Sequence, residues 1–253
     1  MGKVIAVTGK GGVGKTTVAA LMVRLLVEAG QGPVLAVDAD PNLNLNAALG
    51  VPVAETVGDV REEGLDRAAN LPGGMAKSEF LRLRVQEALV EAKGFDLLAM
   101  GRPEGPGCYC FANSILRACV DQIGKQYAYL VIDCEAGLEH LSRRTAGDVD
   151  VLVILSDLSV RGLDTAARVL ELVSELKTKV GKTVFAFTRV RDTVPEELLA
   201  AAKERGLPEP LLIPEDSEIA ALDAQGKALV GVSAGSAVLE AVRGILAEVG
   251  VLS

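Results

Sequence analysis

Gly9-Lys10-Gly11-Gly12-Val13-Gly14-Lys15-Thr16-Thr17 has the spacing G-x-x-x-x-G-K-[ST]. It follows the apolar run Val4-Ile5-Ala6-Val7 and precedes residues 18–27, whose apolar side chains recur with the amphipathic spacing of a helix. The order is therefore strand, loop, helix. Glycines at these positions let the backbone wrap a polyphosphate, because a Cβ would obstruct the approach or forbid the positive φ angles required. Lys15 supplies a charge for the β and γ phosphates, Thr16 can place its hydroxyl on Mg²⁺, and the first turn of the helix adds its dipole. The plainer alternative is a glycine-rich turn, and the flanking elements argue against it.

Composition bounds what surrounds this loop. A chain of 253 residues, 49% of them hydrophobic, can bury one large α/β core, so a single domain over 1–253 is the expectation. The formal charge of −8 disfavours a broad surface for nucleic acid or anionic lipid. No charged-then-apolar leader opens the chain and no apolar run approaches about 18 residues, which points to a cytoplasmic protein without membrane association. Gly2 carries no lipidation signal, since Ala6 stands where Ser or Thr is required. Four cysteines in such a compartment suggest metal, redox chemistry or plain burial before disulfides.

Further runs repeat the alternation. Leu21, Met22, Leu25 and Leu26 belong to the core side of the first helix, which stops at Gly30. Val34-Leu35-Ala36-Val37 reads as a strand buried on both faces and delivers Asp38 and Asp40, the latter in an Asp-Pro step, to the sheet edge where ligands collect. An Asp-Pro step is also an ordinary turn opener. Residues 51–94 look like an elaboration, with a break at Gly73-Gly74 and a helix over 78–91; a partner surface is one reading, and a helical insertion that completes the core is the preferred one. Strands are expected over 95–100, 129–133, 151–155 and 184–187, with helices over 111–123, 163–180 and 234–249. Strands alternating with helices of this length give a doubly wound, mostly parallel α/β sheet. The last helix has the apolar stripe Val238, Ala241, Val242 and Ile245 and no basic face, which speaks against an amphipathic membrane anchor.

Cys108 and Cys110 form a C-x-C step after a loop rich in glycine and proline. Two thiolates so spaced can bind one metal, yet structural soft-metal sites usually want four ligands, which two chains together would supply. The alternative is two small apolar residues packed against a loop. Cys119 reads as core, and so does Cys134, which follows an acid at a strand end. His140, the only histidine, reads as a hydrogen-bonded residue before a metal ligand.

The form KGGVGKTT at residues 10–17 resembles the deviant Walker A loop of the MinD/ParA/nitrogenase-iron-protein class of P-loop ATPases. The run MGRPEGPGCYC at 100–110, with Asn113, Leu116 and Arg117, and the run DCEAGLEHLSRRT at 133–145 resemble the CooC-type ATPases, nickel-insertion factors of carbon monoxide dehydrogenase with a sister group serving acetyl-CoA synthase. This likeness spans nearly the whole chain.

The resemblance implies ATP and ADP as ligands, with Mg²⁺ on Thr16 and, through water, on Asp133. It implies that Lys10 reaches across a homodimer to the partner's nucleotide, where its charge would offset that on the transferred phosphoryl. Asp40 would orient or deprotonate the attacking water, and Asp38 would support the magnesium and this first switch. Asparagines at 42, 44 and 46 stand where some relatives carry a further carboxylate. Gly137 would supply an amide near the γ phosphate. Thr188 and Arg189, where relatives commonly place an asparagine that reads the adenine edge, and Pro214, Glu215 and Asp216 would face the adenine. Cys108 and Cys110 from both subunits would hold Ni²⁺ or Zn²⁺ on the two-fold axis, and carbon monoxide dehydrogenase or acetyl-CoA synthase would be the client.

Two other classes compete with a nickel metallochaperone. An electron carrier like the nitrogenase iron protein would also use four thiolates, but its cysteines are well separated and one lies several residues beyond the acid that Asp133 matches. A ParA/MinD-type positioning ATPase needs a basic face or an amphipathic anchor.

Overall fold

The computed structural model describes residues 2–67, 75–102, 123–135, 148–176 and 178–252. The readings on Gly73-Gly74, Cys108, Cys110, Cys119, Gly137 and His140, and the helix expected over 111–123 apart from its last residue, lie outside these residues.

β1 (Lys3–Gly9) leads through the glycine loop into α1 (Lys15–Glu28), followed by β2 (Val34–Asp38), α2 (Leu45–Leu49), α3 (Val57–Asp66), α4 (Lys77–Glu87), β3 (Val90–Glu91) and β4 (Phe95–Ala99). A 3-10 turn at Gly124–Gln126 precedes β5 (Tyr129–Asp133), β6 (Val149–Ser156), α5 (Val160–Glu175), β7 (Val180–Val190), α6 (Glu196–Glu204) and β8 (Pro210–Pro214). α7 (Ser217–Ala224), a second 3-10 turn at Leu229–Gly231 and α8 (Ala237–Glu248) close the described chain.

The strands form one sheet in the order β3-β4-β2-β5-β1-β6-β7-β8. Every pairing is parallel except the short β3–β4 hairpin. Near-continuous apolar strands follow from burial on both faces. Along β1, Val4 and Ala6 enter one core with Leu35, Leu98, Ile132 and Phe185, whereas Ile5 and Val7 enter the other with Val34, Val131 and Val153. α3, α4 and α5 cover the first face through Val57, Val60, Leu81, Val85, Leu163 and Ala166. α1, α2 and α8 cover the second through Leu21, Met22, Leu25, Leu45, Val242 and Ile245. The helices of the 51–94 stretch therefore contribute to the core.

Several boundaries differ from the sequence expectation. α1 is not amphipathic in place: Val18, Ala19, Ala20, Leu21, Met22, Val23, Leu25 and Leu26 are all buried, because α2 and α8 close over its outer side. α4 stops at Glu87 instead of running to 91. The turn that joins Ala92 to Phe95 (N···O 3.0 Å), with Gly94 at φ 91°, folds Val90 and Glu91 back onto Leu97 and Asp96 of β4. α5 occupies 160–175 instead of 163–180. Its start is set by Ser159, whose hydroxyl accepts from the Gly162 amide at 3.0 Å, and its end by β7, which already pairs with β6 at Val180–Val149. α8 likewise starts at Ala237, behind the N-cap Ser236.

Candidate active site

The carboxyl ends of β1, β2, β5, β7 and β8 border a cavity of about 840 Å³, lined by the glycine loop, Lys15, Thr16, Thr17, Asp40, Glu135, Thr188, Arg189 and residues 213–229 in part. The strand order reverses at β1, which is flanked by β5 and β6, so the loop after β1 sits at the topological switch point of the sheet.

Two different constraints act on the loop glycines. Gly9 lies against β6, where an added Cβ would stand 2.2 Å from the Leu155 carbonyl oxygen. Gly12 and Gly14 have φ 79° and 90° with nothing within 4 Å of an added Cβ, so there the backbone conformation, not crowding, demands glycine. That open space is the concavity a phosphate needs. Lys15, 8% exposed, arches over the loop and donates to the Lys10 carbonyl at 3.2 Å.

Asp38 and Asp133 are in-register neighbours on β2 and β5. Asp38 is fully buried and its oxygens accept the amides of Asp40 (3.0 Å), Asn44 (3.0 Å) and Leu45 (2.9 Å). It thereby holds the 39–45 segment and the start of α2. Burial pushes its carboxyl up to about 6 against those amides. Asp40 is held in turn by Asn42, whose backbone amide (2.8 Å) and side-chain amide (2.9 Å) both donate to its Oδ1.

Asp133 is 1% exposed, and neither carboxylate oxygen has a hydrogen-bond partner. Burial, and less strongly the charges of Asp38 and Asp40, push its carboxyl up to about 7, while Thr16 and Lys15 beside it pull the other way. An orphaned buried carboxylate next to a threonine hydroxyl fits a hard cation with oxygen ligands. Cys134 behind it is buried, its thiol directed at the Ile132 carbonyl (3.9 Å), and burial pushes its pKa far up. It is a core residue.

Lys10 is paired within its own chain, with Nζ 3.0 Å from Asp157 Oδ2. Asp157 follows β6, and its other oxygen accepts from the Ser159 hydroxyl at 2.6 Å. Gly162 leaves room for it, since a Cβ there would meet Oδ1 at 2.2 Å. Despite partial burial, Ser159 and Lys10 hold the Asp157 carboxyl below its ordinary value. The sequence reading missed Asp157, although a third acid beyond a strand's carboxyl end carries the signal that marked Asp38 and Asp133.

On the opposite wall a β-bulge between Phe187 and Val190 turns Thr188 inward and sets Arg189 in the left-handed region at φ 56°. The Thr188 hydroxyl donates to the Ser156 carbonyl at 3.3 Å and is 4% exposed. Arg189 is exposed and lines the cavity. Pro214 also lines it, Glu215 is paired with Arg191 (2.5 and 3.0 Å), and Asp216 caps α7 through the Glu218 amide at 2.8 Å. Leu229 and Lys227, also unforeseen, complete this wall. Among the described residues no group of three or more His, Cys, Asp and Glu could hold a metal ion.

A glycine loop at the switch point, a helix opening on Lys15-Thr16 and a buried strand-end acid define a P-loop nucleotide-binding fold. Residues 2–185 match a family model described as an AAA domain. An uncharacterised ATP-binding protein of Methanocaldococcus jannaschii is 47% identical over 225 residues, 88% of each chain. The carbon monoxide dehydrogenase accessory protein CooC of Rhodospirillum rubrum is 38% identical over 187 residues, covering 69% of this chain and 70% of that one. The septum site-determining protein MinD of Pyrococcus horikoshii, complexed with Mg-ADP, superposes with a TM-score of 0.72 at 23% identity over 98% of this chain and 96% of that one. The chain belongs to the P-loop ATPase family described as an AAA domain, and its fold is that of MinD. No helix among the described residues is long and apolar enough to cross a membrane.

Proposed function

We propose that the chain is an Mg²⁺-dependent ATPase of 1–253 that works as a homodimer and assists nickel insertion into carbon monoxide dehydrogenase or acetyl-CoA synthase. The observation that carries the ATPase part is Asp133, buried and without a partner beside Thr16, at the edge of a loop whose Gly12 and Gly14 leave open space. The metal part is supported by the 38% identical relative named for carbon monoxide dehydrogenase and by the pair Cys108 and Cys110.

Thr16 and Asp133 would hold the magnesium, which when bound neutralises charge on the β and γ phosphates. Lys15 exchanges the Lys10 carbonyl for phosphate oxygens. Asp40, kept in place by Asn42 and by the Asp38 frame, orients the attacking water. Lys10 leaves Asp157 and crosses to the partner's nucleotide, so closing the dimer costs one solvent-exposed ion pair, worth about 0–1 kcal/mol. Closure would alter the geometry of four thiolates shared by two chains, with Ni²⁺ as cargo or Zn²⁺ in its place.

The test is an anaerobic Ni²⁺ titration of the reduced protein, with mass by light scattering, for wild type and the Cys108→Ser/Cys110→Ser double variant. One metal per two chains, accompanied by dimer formation and lost in the variant, is the expected result. Equal or absent binding in both proteins removes the metal part and leaves a nucleotide switch of other cargo.

A further inference from the structure

α7 lines the cavity but buries none of its eight residues. Ile219 and Leu222 pack against the core while only partly buried, and polar ties supplement that packing. Asp216 Oδ1 accepts the Glu218 and Ile219 amides at 2.8 and 3.3 Å, and its Oδ2 accepts from the Ser236 hydroxyl at 2.7 Å. Farther along, the Glu218 carboxylate accepts the Ser233 amide at 2.8 Å and the Ser233 hydroxyl at 2.7 Å. These bonds close residues 216–236 into a bracket, and the 3-10 turn within it inserts Leu229 into the cavity wall.

One side chain fastens this bracket to the phosphate side of the site. Nη1 of Arg24 donates to the carbonyls of Val230 (3.1 Å) and Val232 (2.5 Å), while Nε is steadied by Glu28 at 2.7 Å. Arg24 lies on α1, the helix that opens with Lys15 and Thr16. A single rigid rod therefore presents the phosphate ligands at one end and anchors the α7 wall farther along. The Thr188 hydroxyl already donates to the Ser156 carbonyl at 3.3 Å, so the wall is the other part of the cavity available to grip the nucleoside.

We propose that Arg24 is a positioning residue for the nucleoside half of the bound nucleotide, holding the Leu229–Val232 turn, and through it α7, at the correct distance from the phosphate loop. This rests on the nucleotide reading of the cavity and extends it to a side chain outside every motif of the loop.

The test compares Mg-ADP affinity by calorimetry with Mg-pyrophosphate affinity by competition against a fluorescent ADP analogue, in the full chain and its Arg24→Ala, Arg24→Lys and Ser233→Ala variants. Arg24→Ala should weaken ADP about tenfold and leave pyrophosphate within about twofold, because two carbonyls lose a charged donor that only the nucleoside wall needs. Arg24→Lys, which keeps a donor for one carbonyl, should recover part of the loss. Should Arg24→Ala not fold, Ser233→Ala loosens the same bracket from its exposed side and should weaken ADP alone by about threefold. Unchanged ADP affinity, or equal losses for both ligands tracking a lower Tm, would overturn the positioning role. Failure of wild type to bind ADP would instead sink the nucleotide reading itself.

Discussion

The two halves of the cavity are built by different means. At the phosphate end, Gly12, Gly14, Lys15 and Thr16 are consecutive in the chain or nearly so, and their placement follows from one strand, one tight loop and one helix start. At the end proposed to hold the nucleoside, Thr188, Arg189, Pro214, Leu229 and the bracket of 216–236 come from separate elements and are tied together by side chains, Arg24 and Ser236 among them. A backbone-built site tolerates changes around it as long as its own few residues stand. A site assembled by long-range side-chain ties is sensitive to residues that never touch the ligand.

The sharpest way to separate the halves is Lys15→Met. It should lower ATP turnover about a hundredfold or more, since a donor to the transferred phosphates is lost, and should weaken pyrophosphate as much as ADP, the opposite of the pattern expected for Arg24. A loss confined to nucleotides would break the division into two halves.

Asp133→Asn gives a smaller, pH-dependent effect. The folded-state pKa of Asp133 lies near 7, above its ordinary 3.8, so the protonated acid is favoured by folding and stability falls as pH rises through that interval. The ligand-free variant should therefore melt about 5 °C above wild type at pH 8, with the gap closing toward pH 4, while Mg²⁺-dependent stabilisation by ADP is lost. A Tm equal to wild type at pH 8 would mean the carboxylate is not strained by burial.

Asp157→Asn should have the least effect. It weakens an exposed pair, Lys10 and Asp157, each near 40% exposed, and so should raise the ATP-dependent dimer fraction by no more than about fivefold. Fewer dimers in this variant would show that Asp157 guides Lys10 toward the partner instead of retaining it.

Much of this was legible in residues that are neighbours in sequence. The loop at 9–17 and the two-faced strands announced a doubly wound sheet, and the sheet has that form. Element ends were less legible, because a β-hairpin at 90–97 and strand pairing at Val180 outcompeted helical spacing at 78–91 and 163–180. Asp38 was read as support for the magnesium and the first switch, and its oxygens accept three amides of the segment that carries Asp40. No spacing rule could foresee this, since those bonds depend on where the chain returns after β2.

The sequence by itself determined the α/β order, the glycine loop and the identity of Lys15 and Thr16 at a helix start, all of which rest on local backbone geometry and the period of apolar residues. Only the tertiary structure decided that Asp133 stands unpartnered, that Lys10 rests on Asp157, and that Arg24 holds a turn more than two hundred residues away in the chain. The physical reason is that desolvation and side-chain hydrogen bonds depend on which distant segments meet, and that is fixed by closing the sheet and covering both its faces.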